Sequence, residues 1–222
     1  MTTRNVSFVP LEFYHIYNRG TDKRVIYKTP GDHRRFQELL YVSNGTKAVA
    51  LKDIQKRNQG IYEYDRGESL VAIGAYCLMP NHFHILLTPL VEGGVAKFMM
   101  KLTTGYSMYF NKKYERTGRL FEGSYKSKHA DSDQYLKYLF SYIHLNPVKL
   151  IQQDWKERGI TDIDGTYEYL NRFPFSSFCD YQNDIRPEGS ILSGTAFPDY
   201  FEGATQRKEE MLEWLIANPS RG

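Results

Sequence analysis

Two histidines separated by one hydrophobic residue, His82-Phe83-His84, head a run that continues Ile85-Leu86-Leu87. In an extended strand, residues i and i+2 share a face. The spacing therefore points both imidazoles one way and Phe83 into the opposite packing layer. Two imidazoles at the start of a core strand are costly without partners, and a metal ion between them would satisfy both. Hydrogen bonds to backbone or water would satisfy them too, and the pair by itself names no reaction.

A second constellation lies in the helix-spaced segment Gln134 to Pro147. Tyr142 and Asn146 are four residues apart and share a helix face. The amide oxygen of Asn146 is a hard ligand, able to complete a His/His/O set for Mg²⁺ or Mn²⁺, which would seat the Tyr142 phenol beside the metal. Tyr135 and Tyr138 compete for that role, but only Tyr142 has a ligand-type side chain at that offset. His144, two residues from Tyr142, points elsewhere on the helix. Pro147 disfavours helical geometry before it and places Asn146 in the last turn. Read without the histidines, Tyr142 is a core aromatic and Asn146 a helix C-cap.

The elements that must position these groups follow from periodicity. Leu11 to Tyr17 reads as a strand ended by a turn at Asn18-Arg19-Gly20. Asp32 caps a helix to about Tyr41, and residues 44–69 read as an inserted loop. Leu70 to Leu78 is a buried-type strand, Met79-Pro80-Asn81 a turn, and His82 to Leu87 an antiparallel return. Glu92 to Lys113 has helical spacing, and Leu120 to Lys128 reads as a fourth strand. Asp131 to Asn146 forms a long helix with Asp131, Ser132 or Asp133 as its cap. The order β-α-β-β-α-β, followed by a further helix, matches a split βαβ, ferredoxin-like plan. This is an α+β fold, expected to carry its helices on one face of an antiparallel sheet.

The 222 residues make one domain, or one with an appendage. The expected division is a catalytic body over 1–150 and an acidic extension over 151–222 that packs on it through Phe173, Phe175 and Phe178. A terminal helix is expected over Thr205 to Leu215. Hydrophobic content of 41% and charged content of 25% exclude global disorder. No apolar run is long enough to span a membrane, and the first ten residues lack an apolar signal core, so a soluble cytoplasmic protein without membrane contact is expected. Cys77 and Cys179 make neither a disulfide framework nor a zinc cluster. Residues 1–149 hold 22 Lys and Arg against 13 Asp and Glu, while residues 150–222 hold 7 against 13. A basic body with an acidic tail suits a polyanion partner. Eighteen Tyr and 13 Phe supply faces on which unpaired bases can stack, although most must be core.

Taken together, these residues resemble the HUH single-strand DNA transposases, and within them the REP-associated tyrosine transposase group, related to the small insertion-sequence transposases. The resemblance rests on Tyr17-Asn18-Arg19-Gly20, on Cys77 to His84, on Gly118 to Ser127, on Tyr142 to Lys149 and, more weakly, on Phe173 to Phe178. It implies an HUH fold in which a ferredoxin-like sheet carries the histidines and a nearby helix carries the nucleophile. It implies Tyr142 as the catalytic tyrosine and His82, His84 and Asn146 as ligands of Mg²⁺ or Mn²⁺. Asn146 stands where many insertion-sequence relatives carry Gln, one methylene longer. The implied reaction cleaves single-stranded or hairpin DNA and rejoins it through a 5′-phosphotyrosine. Arg19, Lys112, Lys113, Arg119, Lys126 and Lys128, with Phe121 and Tyr125, form the expected DNA-binding set, and a homodimer is allowed. The alternatives are a catalytically silent nucleic-acid-binding module, a metal-dependent hydrolase of a small molecule, and a replication-initiator or relaxase-type nuclease.

Overall fold

The computed structural model describes residues 7–48, 60–182 and 185–198. Strands β1 (Phe13–Arg19), β2 (Val71–Met79), β3 (His82–Pro89) and β4 (Lys126–Ala130) form one sheet in the order β2-β3-β1-β4. Every neighbouring pair is antiparallel. Helix α1 (Pro30–Ser43) joins β1 to β2, and α2 (Gly94–Lys113) joins β3 to β4. Helix α3 (Asp133–Leu145) follows β4, then a short turn of helix, α4 (Trp155–Arg158), and α5 (Ile163–Arg172). This is the split βαβ plan of an α+β fold.

The helices do not all share one face, which corrects that expectation. Helices α1 and α2 cover one side of the sheet. Phe36, Leu40, Phe98, Leu102 and Tyr106 pack there against Ile16, Phe83, Ile85 and Leu87. On the other side, Leu136, Leu139, Phe140 and Ile143 of α3 pack against Ala72, Ala75, Cys77, Met79 and Leu86. The reason is in β2 and β3: apart from His82, which is half-buried, every residue of both strands is buried, so both faces need cover. A register shift between Ile73 and Ala75 changes which residues of β2 face each side. Phe197 lies so close to Gly74 that a side chain there would collide with its ring.

Several boundaries move, each for a local reason. β1 continues through Asn18 and Arg19, because Asn18 pairs with Phe83 and Arg19 with His82; the chain turns only at Gly20, where a side chain would collide with the carbonyl of Arg24. Thr29, not Asp32, is the N-cap of α1; Asp32 is the third residue of its capping box, with Pro30 opening the helix. α2 starts at Gly94, two residues after Glu92. Residues 120–125 are irregular and β4 begins only at Lys126; Phe121 forms a lone bridge with Gly20. Ser132 caps α3, its hydroxyl accepting from the backbone N–H of Tyr135.

Chain beyond α5 returns to the free edge of β2. Leu78 N–H donates to the carbonyl of Phe175 (2.9 Å) and Ser177 N–H to that of Tyr76 (2.9 Å). Phe175 stacks on His33 at 3.9 Å between centroids, and Phe178 is buried. This strap blunts an edge that would otherwise offer unpaired backbone groups. Cys77 and Cys179 are free and buried. Among the described residues no helix is long and apolar enough to cross a membrane. The expected helix at Thr205 to Leu215 lies outside the described residues.

Candidate active site

Strand alternation places His82 and His84 on the α3 face of the sheet. The β1–β3 register sets Tyr17 opposite His84, with His15 two residues away on the same face. Helix α3 crosses above and lowers Tyr142 onto them. The ring centroids of His84 and Tyr142 are 5.6 Å apart, nearly edge-on at 80°, and those of His82 and His84 are 5.0 Å apart. Tyr17, His82, His84, Tyr142 and Asn146 line one cavity of about 310 Å³. All of them come from a single chain.

Each imidazole is held by its Nδ1. Asn81 Oδ1 accepts from Nδ1 of His82 at 2.6 Å, and Nδ1 of His84 lies 2.8 Å from Nε2 of His15. In the tautomers with Nδ1–H donating outward, both Nε2 atoms carry a lone pair for a ligand, as in sites where an outer partner orients a metal-binding imidazole. The Nε2 of His84 is buried with no hydrogen-bond partner, a cost that a metal would remove. Burial, followed by the charges of Lys149 and Arg19, pulls the His82 pKa down to about 4. Burial and then the neighbouring His15 and His82 hold His84 far below the ordinary value. Both rings are therefore neutral at pH 7, the state that a metal takes.

Among the described residues, no three His, Cys, Asp or Glu side chains are grouped to hold a metal. Buried Asn146 lines the same cavity as the two histidines and carries an oxygen of ligand type. It ends α3, its Nδ2 donating to the carbonyl of Tyr142 at 2.8 Å. With the nitrogen committed to the helix end, a metal would meet the amide oxygen. Two imidazoles and one amide oxygen, with positions open to phosphate oxygens, fit Mn²⁺ or Mg²⁺. Burial and then Tyr138 raise the Tyr142 pKa, while a hydrogen bond from the Asn146 side chain opposes them. The phenol keeps its proton at neutral pH.

The expected DNA-binding set divides. Arg19 and Lys126 line the cavity, and Arg19 is paired with Glu122. Lys128 lies 4.5 Å from the ring of Tyr135 on the adjoining edge. Arg119 is on the rim of a separate groove. Phe121 and Tyr125 are buried at 6% and 9% exposure in the α1–α2 core, which corrects their reading as open stacking faces. Their segment is not a strand with one solvent side, so its aromatics turn inward. Lys112 and Lys113 belong to α2, on the sheet face away from the histidines. Lys113 is bonded at 2.6 Å to buried Asp32, so its charge supports the fold.

Sequence reasoning missed His15, Asn81, Lys23 and Lys149. The two lysines line the cavity, and Lys149 was signalled by its place just after Asn146-Pro147. Asn81 also donates from Nδ2 to the carbonyl of Lys23 at 3.2 Å, tying the Gly20–Arg24 turn to the histidine strand. Nothing in the β1 sequence singles out His15 before the register is known.

The stretch over residues 38–146 matches the family model described as "Transposase IS200 like". It runs from α1 to the end of α3 and holds His82, His84, Tyr142 and Asn146; β1 with His15 precedes it. Among solved structures, the chain is similar to a REP-associated tyrosine transposase bound to a REP hairpin, at 14% identity and a TM-score of 0.46. The match covers 89% of this chain and 94% of that one. No curated protein matches.

Proposed function

We propose that this chain, whose residues 38–146 match the IS200-like transposase family model, cleaves and rejoins single-stranded DNA with Tyr142 as nucleophile. The observation that carries the reading is the approach of Tyr142 to His84, 5.6 Å between ring centroids in one cavity with His82 and Asn146. The Tyr142 oxygen attacks a backbone phosphorus and the phenol proton is lost. The bond from phosphorus to the 3′-oxygen breaks, leaving a 5′-phosphotyrosine and a free 3′-hydroxyl. A 3′-hydroxyl of a second strand then attacks the phosphotyrosine, restores a phosphodiester and returns the phenol. The number of phosphate ester bonds is conserved, so rejoining needs no external energy source. Covalent capture explains why a side-chain nucleophile serves here instead of water.

His82, His84 and Asn146 would hold a divalent ion, Mn²⁺ or Mg²⁺. When bound, that ion supplies Lewis-acid polarisation of the scissile phosphate and offsets charge on the leaving oxygen. Asn81 and His15 fix the two imidazoles. Lys23, Lys126 and Lys149 at the cavity wall attract the phosphodiester and orient it. Hairpin-bearing DNA is the substrate that the sequence resemblance implies.

The test uses end-labelled hairpin oligonucleotides with unpaired flanks, incubated with the full chain and Mn²⁺. A protease-sensitive covalent adduct is expected, lost on chelation and in Tyr142→Phe. Cleavage that persists in Tyr142→Phe would overturn the nucleophile, and cleavage without any adduct would favour water as the attacking group.

A further inference from the structure

The strap along β2 also reaches the helix that carries Tyr142. Covering a sheet edge takes only main-chain bonds, yet Ser177, Phe178 and Tyr181 of the strap all meet one imidazole of α3, that of His144. Ser177 and His144 are both fully buried, and the Ser177 hydroxyl oxygen lies 2.7 Å from Nε2 of His144. The rings of Phe178 and Tyr181 stand 5.6 and 5.7 Å from the imidazole, centroid to centroid. The same hydroxyl is fixed to β2. It accepts from the N–H of Tyr76 at 2.8 Å and lies 3.2 Å from the Tyr76 carbonyl. In the tautomer with Nε2–H donating, the hydroxyl passes its own proton to that carbonyl, and every bonding position of the serine is used. On the other side of the sheet the strap is tied to α1, where Gln37 donates to the carbonyl of Pro174 at 2.9 Å.

His144 stands two residues from both Tyr142 and Asn146, about 200° of helical turn from each. Apolar residues of α3 hold the helix against the sheet, but burial is non-directional and sets its roll only loosely. A hydrogen bond has a preferred direction, and one on the side opposite the phenol fixes the roll. A helical tyrosine carries its oxygen about 9 Å from the axis, so a roll of about 10° moves it by about 1.5 Å. A misplacement of about 1 Å can cost a reaction about 100-fold in rate. We propose that His144 and Ser177 are positioning residues for strand cleavage: through them the strap sets the roll of α3, and with it the approach of Tyr142 to the scissile phosphate. This rests on the reading of Tyr142 as nucleophile. Neither His144 nor Ser177 is among the residues lining the cavity, so both act through the helix and not by touching DNA.

The test uses the full chain with end-labelled hairpin oligonucleotides and Mn²⁺, each saturating for the variant in hand, so that the rate of adduct formation is read apart from binding. Ser177→Ala and His144→Leu each break the bond, while His144→Gln sets an amide near the place of Nε2 and keeps it. Val42→Ala, buried in the α1–α2 layer, is the control for lost stability alone. Thermal melts give the stability of each variant and fluorescence anisotropy its DNA affinity. We expect Ser177→Ala and His144→Leu to slow adduct formation about tenfold, with DNA affinity close to that of wild type. S177A/H144L should be no slower than either single variant, because both remove the same bond. His144→Gln should recover most of the rate, and Val42→Ala should keep it despite a lower melting temperature. Should one of the two disrupting variants fail to fold, the other decides together with His144→Gln. A wild-type rate in a folded Ser177→Ala or His144→Leu would overturn the proposal and leave the nucleophile standing. So would single losses that multiply in S177A/H144L, or an equal slowing in Val42→Ala. A wild-type protein that forms no adduct would overturn the nucleophile and the positioning role with it.

Discussion

Nε2 of His15 lies 2.8 Å from Nδ1 of His84, a contact between neighbouring strands that leaves the opposite nitrogen of His84 buried without a hydrogen-bond partner. The contact exists because Tyr17 pairs with His84 in the sheet, which puts His15 diagonal to it on the same face. His15 is not among the residues lining the cavity; its proposed role is to position a ligand.

Replacing His15 should therefore act through the metal. In His15→Ala the His84 ring loses its orienting partner, and Mn²⁺ affinity should fall about 10- to 100-fold, as for other outer partners of metal-binding imidazoles. Cleavage at saturating Mn²⁺ should recover in large part. A Mn²⁺ titration of adduct formation, compared with direct metal binding by spin resonance, separates this from a general loss of fold.

Asn146 should show two separable losses. Asn146→Ala removes the Nδ2 bond to the Tyr142 carbonyl, costing about 1 kcal/mol of stability. It also removes the amide oxygen proposed as the third ligand, so the Mn²⁺ requirement should rise well beyond what that modest destabilisation explains. Calorimetric melts and the same titration read the two effects. An unchanged Mn²⁺ requirement would remove Asn146 from the ligand set.

Asp32 should govern acid stability. It is fully buried and accepts from Lys113 (2.6 Å), Tyr114 (2.6 Å), Tyr109 (2.9 Å) and the backbone of Lys28 and Thr29. Burial alone would raise its pKa, but the bonds from Lys113, Tyr114 and Tyr109 outweigh it and hold the value at about 2. The folded value lies below the unfolded one, so the stabilisation is present above about pH 4 and is lost as pH falls toward 2. Its size is about 2 kcal/mol. Denaturant melts from pH 6 to 2 should show this loss, and Asp32→Asn should be less stable at pH 6 with a flatter slope.

Arg186 should hold the strap against β2. Its guanidinium meets both carboxylate oxygens of Asp180 (2.6 and 2.7 Å) and donates to the carbonyls of Pro174 and Ser176 (2.7 Å each). Asp180 is 3% exposed as a side chain, so Arg186→Ala takes the bidentate cation away from a buried carboxylate, at a cost of about 3–5 kcal/mol. Hydrogen exchange should speed up first at the amides of Leu78 and Ser177, whose bonds join strap and strand.

The placement of the candidate residues on their elements was legible in the chain because it rests on local periodicity. A strand must put His82 and His84 on one face, and a helix must put Tyr142 and Asn146 on another; neither statement needs a distant residue. The alternating apolar runs likewise made the order of strands and helices readable. Local pattern failed where a segment has no period. Residues 120–125 looked like a strand from composition, but they cross the end of the sheet as an irregular segment with Phe121 and Tyr125 turned into the core.

What the amino-acid sequence determined alone was the set of reactive groups and the faces on which each element carries them. Whether the two faces meet was a matter for the tertiary structure: apolar residues on both sides of β2 and β3 draw α3 to the sheet face opposite α1 and α2, and that lowers the phenol over the imidazoles. The pairing of His15 with His84, and the return of Lys113 to Asp32, depend on strand register and helix packing. Those are set by burial summed over the whole core, a quantity that no short stretch of residues contains.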